Sequence, residues 1–101
     1  MRVEFTSDAK AEVRQIRRWW RRHRTKAPDL FNQELRQAQQ RLAVAWAEGQ
    51  EYDYFDGDLV RRVLLERTRN HVYYIVLEDQ KLVQIVAVHG AVCGAGPDFS
   101  A

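Results

Sequence analysis

The stretch Arg69-Asn70-His71-Val72-Tyr73-Tyr74-Ile75-Val76-Leu77 decides the fold. It is almost entirely β-branched, aromatic or aliphatic, which is strand composition. It holds no Gly and no Pro, and its length is generous for a strand. The polar Glu78-Asp79-Gln80-Lys81 follows and reads as a hairpin loop. A second run, Leu82-Val83-Gln84-Ile85-Val86-Ala87-Val88-His89, completes the pair. Both members are apolar on both faces: Tyr74 and Val76 back onto Tyr73 and Ile75, and Val86 and Val88 onto Val83 and Ile85. A strand apolar on both sides has to be covered on both sides. This hairpin is therefore the centre of the domain, and the rest of the chain must supply its cover.

Working outward, the run 60–66 is a further strand and Thr68-Arg69-Asn70 the turn into the hairpin. Residues 50–59 carry Glu51, Asp53, Asp56 and Asp58 among Tyr52, Tyr54 and Phe55 without clear periodicity, and read as an acidic, aromatic loop. Its carboxylates lack the alternation and closing Glu of a calcium loop. Upstream, Phe31, Leu35, Ala38, Leu42 and Ala45 recur at helical spacing on one face. Pro28 suits the first turn of that helix and Gly49 its end. Ala9, Val13, Ile16 and Trp20 mark an earlier helix reaching about Arg24, with Ser7 as the expected N-cap and Asp8 in the first turn. The short link 25–28 makes the two helices an antiparallel hairpin. Residues 2–6 alternate and form a short strand. The order is β-α-α-β-β-β, an α+β fold with a helix hairpin packed on a small antiparallel sheet. Trp20, Ile16, Leu35, Leu42, Tyr74, Val76 and Val86 are expected to converge on one helix–sheet interface. Residues 1–91 make one domain, and the small, Gly-rich run in 92–101 reads as a flexible tail.

Composition limits the function. A chain of 101 residues, 46% hydrophobic and 30% charged, is one globular domain and too apolar for disorder. The single cysteine, Cys93, excludes an internal disulfide framework and a zinc-site spacing, and reads as a plain thiol. No apolar run approaches membrane length and Met-Arg-Val-Glu-Phe opens no signal-peptide core, so a cytoplasmic protein is expected. Net charge is only +2, but unevenly placed. Residues 1–41 hold 11 Lys+Arg against 5 Asp+Glu, and residues 42–101 hold 5 against 9. The basic front half suits a charged partner surface.

The ordered set of segments resembles the RelE/ParE superfamily of toxins from bacterial type II toxin–antitoxin pairs. The residues that carry it are Ala9, Ile16, Trp20, Pro28 and Phe31, then Val60-Arg61-Arg62-Val63-Leu64-Leu65 and His71-Val72-Tyr73-Tyr74-Ile75-Val76. Val86-Ala87-Val88-His89-Gly90-Ala91 is similar to the ParE branch. That branch commonly continues with an arginine, where this chain has Val92 and Cys93. The resemblance implies a toxin that inhibits DNA gyrase by binding, without a cofactor, neutralised by a cognate antitoxin laid over it. The alternative it carries is a RelE-like, ribosome-dependent mRNA endonuclease. A third is a degenerate toxin retained as an antitoxin-binding module, which Val92-Cys93 permits.

Endonuclease chemistry needs a base, an acid and cations for the developing phosphorane charge. The chain offers Arg61, Arg62, Arg67, Arg69, His71, Lys81 and His89. His89 ends the last strand and is the one catalytic candidate. Strand parity places it with Ile85 and Val83, which favours a structural role. Arg62, Arg67, Arg69 and His89 remain candidates for contact with the target. The run Arg17-Arg18-Trp19-Trp20-Arg21-Arg22-His23-Arg24 interleaves charge with aromatics, a pattern that binds nucleic acid. Helical spacing favours a plainer reading, with Trp20 inward and the arginines solvated. Arg17, Arg18, Trp19, Arg21 and Arg22 are then candidates for the antitoxin contact. No phosphate loop, dinucleotide fingerprint or hydrolase elbow is present.

Overall fold

The structure is a computed structural model that describes residues 1–91 together with Pro97 and Phe99. Its elements are β1 (Arg2–Phe5), α1 (Ser7–His23), α2 (Leu30–Val44), β2 (Gln50–Phe55), β3 (Asp58–Leu65), β4 (Asn70–Leu77) and β5 (Leu82–Gly90), with a 3₁₀ turn at Glu78–Gln80 between the last two. The α+β architecture is the expected one. The five strands lie in the order β1-β5-β4-β3-β2, so the β4–β5 hairpin is indeed interior.

Several details differ from the sequence reading. The sheet is mixed, because β1 runs parallel to β5 with Arg2 opposite Leu82 and Phe5 opposite Ile85. Sequence does not reveal which strand will flank β1. The supposed loop 50–59 is instead strand β2 and the start of β3. Its alternation is hidden by a register shift between Glu51 and Asp53. Asp56 and Gly57, both at positive φ (52° and 86°), form the turn between Phe55 and Asp58. That is the Asp-Gly pair a two-residue hairpin favours, because both central positions need φ above zero. Finally, Thr6 rather than Ser7 caps α1: its hydroxyl accepts the Ala9 amide at 3.2 Å. α2 begins two residues past Pro28 and ends at Val44, short of Gly49.

Two apolar layers sandwich the sheet. On the helix side Ala9, Val13, Phe31, Leu35 and Leu42 pack on Leu65, Val72, Tyr74, Val83, Ile85 and Val88. Each such large side chain contributes about 1.5–3 kcal/mol by leaving water. Leu35, Leu42 and Tyr74 are buried as expected, whereas Ile16, Trp20 and Val76 sit partly buried at the margin. Val86 lies in the opposite layer, with Val60, Tyr73, Ile75, Ala87 and Tyr52. The cause is a bulge: Tyr73 faces Ala87 and Tyr74 faces Ile85, leaving Val86 as an extra residue. Past Val86 every side chain on β5 changes face.

Of the tail, Val92 and Cys93 lie outside the described residues. Phe99 rests edge-on against Tyr52 and Phe55, and the Pro97 carbonyl accepts the Tyr52 hydroxyl at 3.0 Å. At those two positions the tail packs on the sheet. Among the described residues no helix is long and apolar enough to cross a membrane.

Candidate functional site

The bulge at Val86 reassigns His89. Simple alternation put it with Val83 and Ile85, on the helix side. The structure places it directly opposite His71, on the far face with Tyr73. Tyr73 is the buried floor between them, its ring 5.9 Å from that of His71 and 6.2 Å from that of His89. Arg62 pairs across from Tyr73 on β3, stacks its guanidinium 4.9 Å over Tyr52 and donates to Gln50 Oε1 at 3.3 Å. Arg69 stands at positive φ (61°) in the turn before β4. Arg62 and Arg69 both lie near enough to act on His71: burial first, then these two cations, hold its pKa below the usual histidine value. One end of this face thus collects two histidines and two arginines.

An acid from a helix meets this end of the face. Glu12 reaches the edge of β5 beyond the end of β1, where it accepts the Val88 amide at 3.0 Å and meets His89 Nε2 at 2.5 Å. The other cations singled out in the sequence go elsewhere. Arg61 faces the helices and donates to the Gly49 carbonyl at 3.0 Å. Lys81 lies at the opposite end of the hairpin, beside the Leu77–Leu82 pair. Arg67 belongs to a turn organised by Glu34 of α2, whose carboxylate accepts the Arg67 and Thr68 amides and the Thr68 hydroxyl at 2.7–2.9 Å. That turn forms one wall of a groove of about 510 Å³ between α2 and β3, lined by Ala38, Leu42, Val63 and Leu65.

The basic run on α1 forms a second surface. Arg17, Arg18, Arg21 and Arg22 are exposed, and Trp19 is 44% exposed. Trp19 stacks on His23 at 4.8 Å, meets Trp20 edge-on, and carries Arg24 5.0 Å above its ring. Arg17 hydrogen-bonds Asn32 Oδ1 across the helix hairpin. Among the described residues none of these arginines has an ion-pair partner. Like charges three and four apart on a helix repel.

Sequence reasoning found the cations but missed what joins them. The opposition of His71 and His89 depends on the bulge, which leaves no local signature. Glu12 and Glu34 act across 77 and 33–34 positions of chain respectively, and helical periodicity treats both as surface. Among the described residues no group of three or more His, Cys, Asp or Glu is placed to hold a metal ion.

Comparison with known proteins places this architecture. The family model described as the ParE toxin of the type II toxin–antitoxin system, parDE, matches residues 3–91. Among solved structures, a chain of a chromosomal ParDE toxin–antitoxin system from P. aeruginosa superposes with a TM-score of 0.63. It shares 22% identity, and the match covers 89% of this chain and 95% of that one. Nothing among the curated proteins matches.

Proposed function

Because the chain belongs to the ParE toxin family of type II toxin–antitoxin systems, we propose that it binds and inhibits DNA gyrase in the cytoplasm and is silenced by a cognate antitoxin. The observation that carries this reading is the family match over nearly the whole folded domain, through the strand ending at His89-Gly90-Ala91. The face holding Arg62, Arg69 and His89 is the target surface in this proposal, with Arg67 beside it on the same turn as Arg69.

The antitoxin surface is the helix side. The α1 arginines attract an acidic or mixed-charge segment and speed its encounter. The groove between α2 and β3 offers an apolar floor for a helix, and the outer edge of β2, with Tyr54 and Phe55 exposed, offers backbone for an added strand. The deciding experiment adds the purified protein to gyrase and plasmid DNA and measures cleaved DNA. A rise in cleaved DNA, abolished by the neighbouring gene's product, is the expected result. Unchanged cleavage together with growth arrest on expression would move the target away from gyrase.

A further inference from the structure

We propose that the exposed basic stripe of α1 is a contact surface for the phosphate backbone of duplex DNA, bound without regard to sequence. Lys10, Arg14, Arg17, Arg18, Arg21 and Arg22 are all exposed. At 3.6 residues per turn they fall within about 140° of arc. Ala9 and Val13, which hold α1 to the core, lie outside that arc. So do the two acids of α1, Asp8 and Glu12, and Glu12 is taken up by Val88 and His89. Among the described residues none of the six cations forms an ion pair, and Arg17 alone makes a side-chain hydrogen bond, to the neutral Asn32. Nor does α2 bring an acid to them. The cleft of about 340 Å³ between the helices is lined by Lys10, Arg14 and Arg17 against Leu35 and Gln39, over Phe5 and Val13. Pro97 and Phe99 pack on the opposite face of the sheet, against Tyr52, and leave the stripe uncovered. Like charges held this close repel, and a polyanion laid along them relieves the repulsion.

The dimensions suit a DNA strand. Lys10 to Arg22 spans about 18 Å of helix axis. One strand of the duplex places a phosphate about every 3.4 Å of its axis, so about five face that length. Six cations against about five phosphates is a close match of charge density. Five of the six are arginines, whose planar fork takes two phosphate oxygens at once.

The same arc argues against the other polyanions. An acidic protein segment needs apolar anchors for most of its affinity, and the only apolar residue in the arc is Ala11. A protein partner drawn to these arginines must find its anchors elsewhere, as the antitoxin does in the groove proposed above. A phosphate backbone needs none. A single strand gains its affinity by stacking bases on rings. Trp19, the exposed ring of α1, lies outside the arc and is already stacked on His23 with Arg24 above it. The stripe therefore offers charge without a stacking platform, which favours a duplex. The choice of DNA over a duplex of RNA rests on the gyrase reading, since gyrase works on DNA.

The test is fluorescence anisotropy of a labelled mixed-sequence DNA duplex with the protein alone, from about 50 to about 200 mM salt. The comparisons are the matching RNA duplex, oligothymidylate and polyglutamate. The DNA duplex should bind with a log–log salt slope of about −4 to −5, at about 0.9 per phosphate. Affinity should be the same at about pH 6 and about pH 8, because arginine and lysine stay charged across that range. Arg14→Gln with Arg18→Gln should weaken binding about tenfold or more at low salt and make the slope shallower by about 1.8. Arg14→Lys with Arg18→Lys keeps the charge and should keep the slope. The control is Arg2→Gln with Lys81→Gln, which removes the same net charge away from α1 and should leave the affinity nearly unchanged. A control pair as damaging as the α1 pair would overturn the proposal. So would oligothymidylate, polyglutamate or the RNA duplex bound more tightly than the DNA duplex. Gyrase inhibited by a protein that binds no duplex would overturn the role of the stripe and leave the gyrase reading standing. Duplex bound as expected with gyrase unaffected would support the stripe and count against that reading alone.

Discussion

Glu12 of α1 and His89 of β5 meet at 2.5 Å across 77 positions of chain, and the same carboxylate accepts the Val88 amide. The relationship closes a gap in the sheet. β1 is paired only as far as Ile85, so the outer edge of β5 beyond it needs another acceptor. Thr6 supplies an amide to the Ile85 carbonyl, and Glu12 takes the Val88 amide. Glu12→Ala should therefore destabilise the fold by about 1–3 kcal/mol, the usual effect of stranding a part-buried donor. Glu12→Gln should keep the amide bond and lose less. Denaturant midpoints of the two variants check this: equal midpoints for wild type and Glu12→Ala would show that solvent caps the edge equally well.

Gly49 is a close-approach glycine. Its amide donates to the Tyr74 hydroxyl at 2.9 Å, and a Cβ placed there would sit 2.4 Å from that oxygen and 2.8 Å from the ring. Tyr74 is wholly buried and cannot swing away. Gly49→Ala should cost about 1–3 kcal/mol by overpacking. Combining it with Tyr74→Phe removes the nearest atom but not the ring, so the double variant should recover only part of the loss. Gly57→Ala is the contrasting case. Nothing lies within 4 Å of its Cβ, so only its positive φ matters, and about 1–2 kcal/mol is expected. Chemical denaturation of the three variants orders them.

The central hairpin was legible because Val72 to Leu77 and Leu82 to Val88 are apolar on both faces, which only an interior strand tolerates. The helix faces were legible because Val13 and Leu42 repeat at helical spacing. What stayed hidden was any feature that shifts register. The bulge at Val86 and the shift at Tyr52 each insert one residue, and each inverts the inference drawn from parity. Hence β2 was read as a loop, although Asp56-Gly57 marked its turn, and His89 was assigned to the wrong face. Arg62, Arg69 and His89 are legible one by one in the sequence; their meeting with His71 requires strand register, and the opposing acid Glu12 requires the full tertiary fold.

His71 makes stability depend on pH. Burial and the Arg62 and Arg69 charges hold its folded pKa below the unfolded value of about 6.5. Around and below that value the unfolded chain binds more protons than the folded one, so stability falls as pH falls through this window. Above it both states are neutral at His71 and this contribution is constant. His71→Gln should flatten the acid limb of a plot of unfolding midpoint against pH. An unaltered limb in the variant would assign it to other groups.

The α1 surface gives the prediction most open to direct measurement. Arg14, Arg17, Arg18, Arg21 and Arg22 carry like charge through successive turns, and no acidic residue stands between Glu12 and Asp29 to offset them. Repulsions at three- and four-residue spacing weaken such a helix by about 0.2–0.5 kcal/mol per pair. Reversing Arg17, Arg18, Arg21 and Arg22 to Glu would introduce acids along the same face, while Val13 and Ala9 still hold the helix to the core. The fold should therefore survive, as circular dichroism would show. Association with the antitoxin should slow by one order of magnitude or more at low salt, since steering by opposite charge is lost, and the remaining rate should depend far less on ionic strength. Dissociation should change less if, as proposed, the apolar groove between α2 and β3 and the β2 edge hold the bound segment. Stopped-flow association across an ionic-strength series, for wild type and the reversal variant, measures both quantities. Identical rates and slopes would remove the basic helix from the antitoxin contact and leave it as a solvated face.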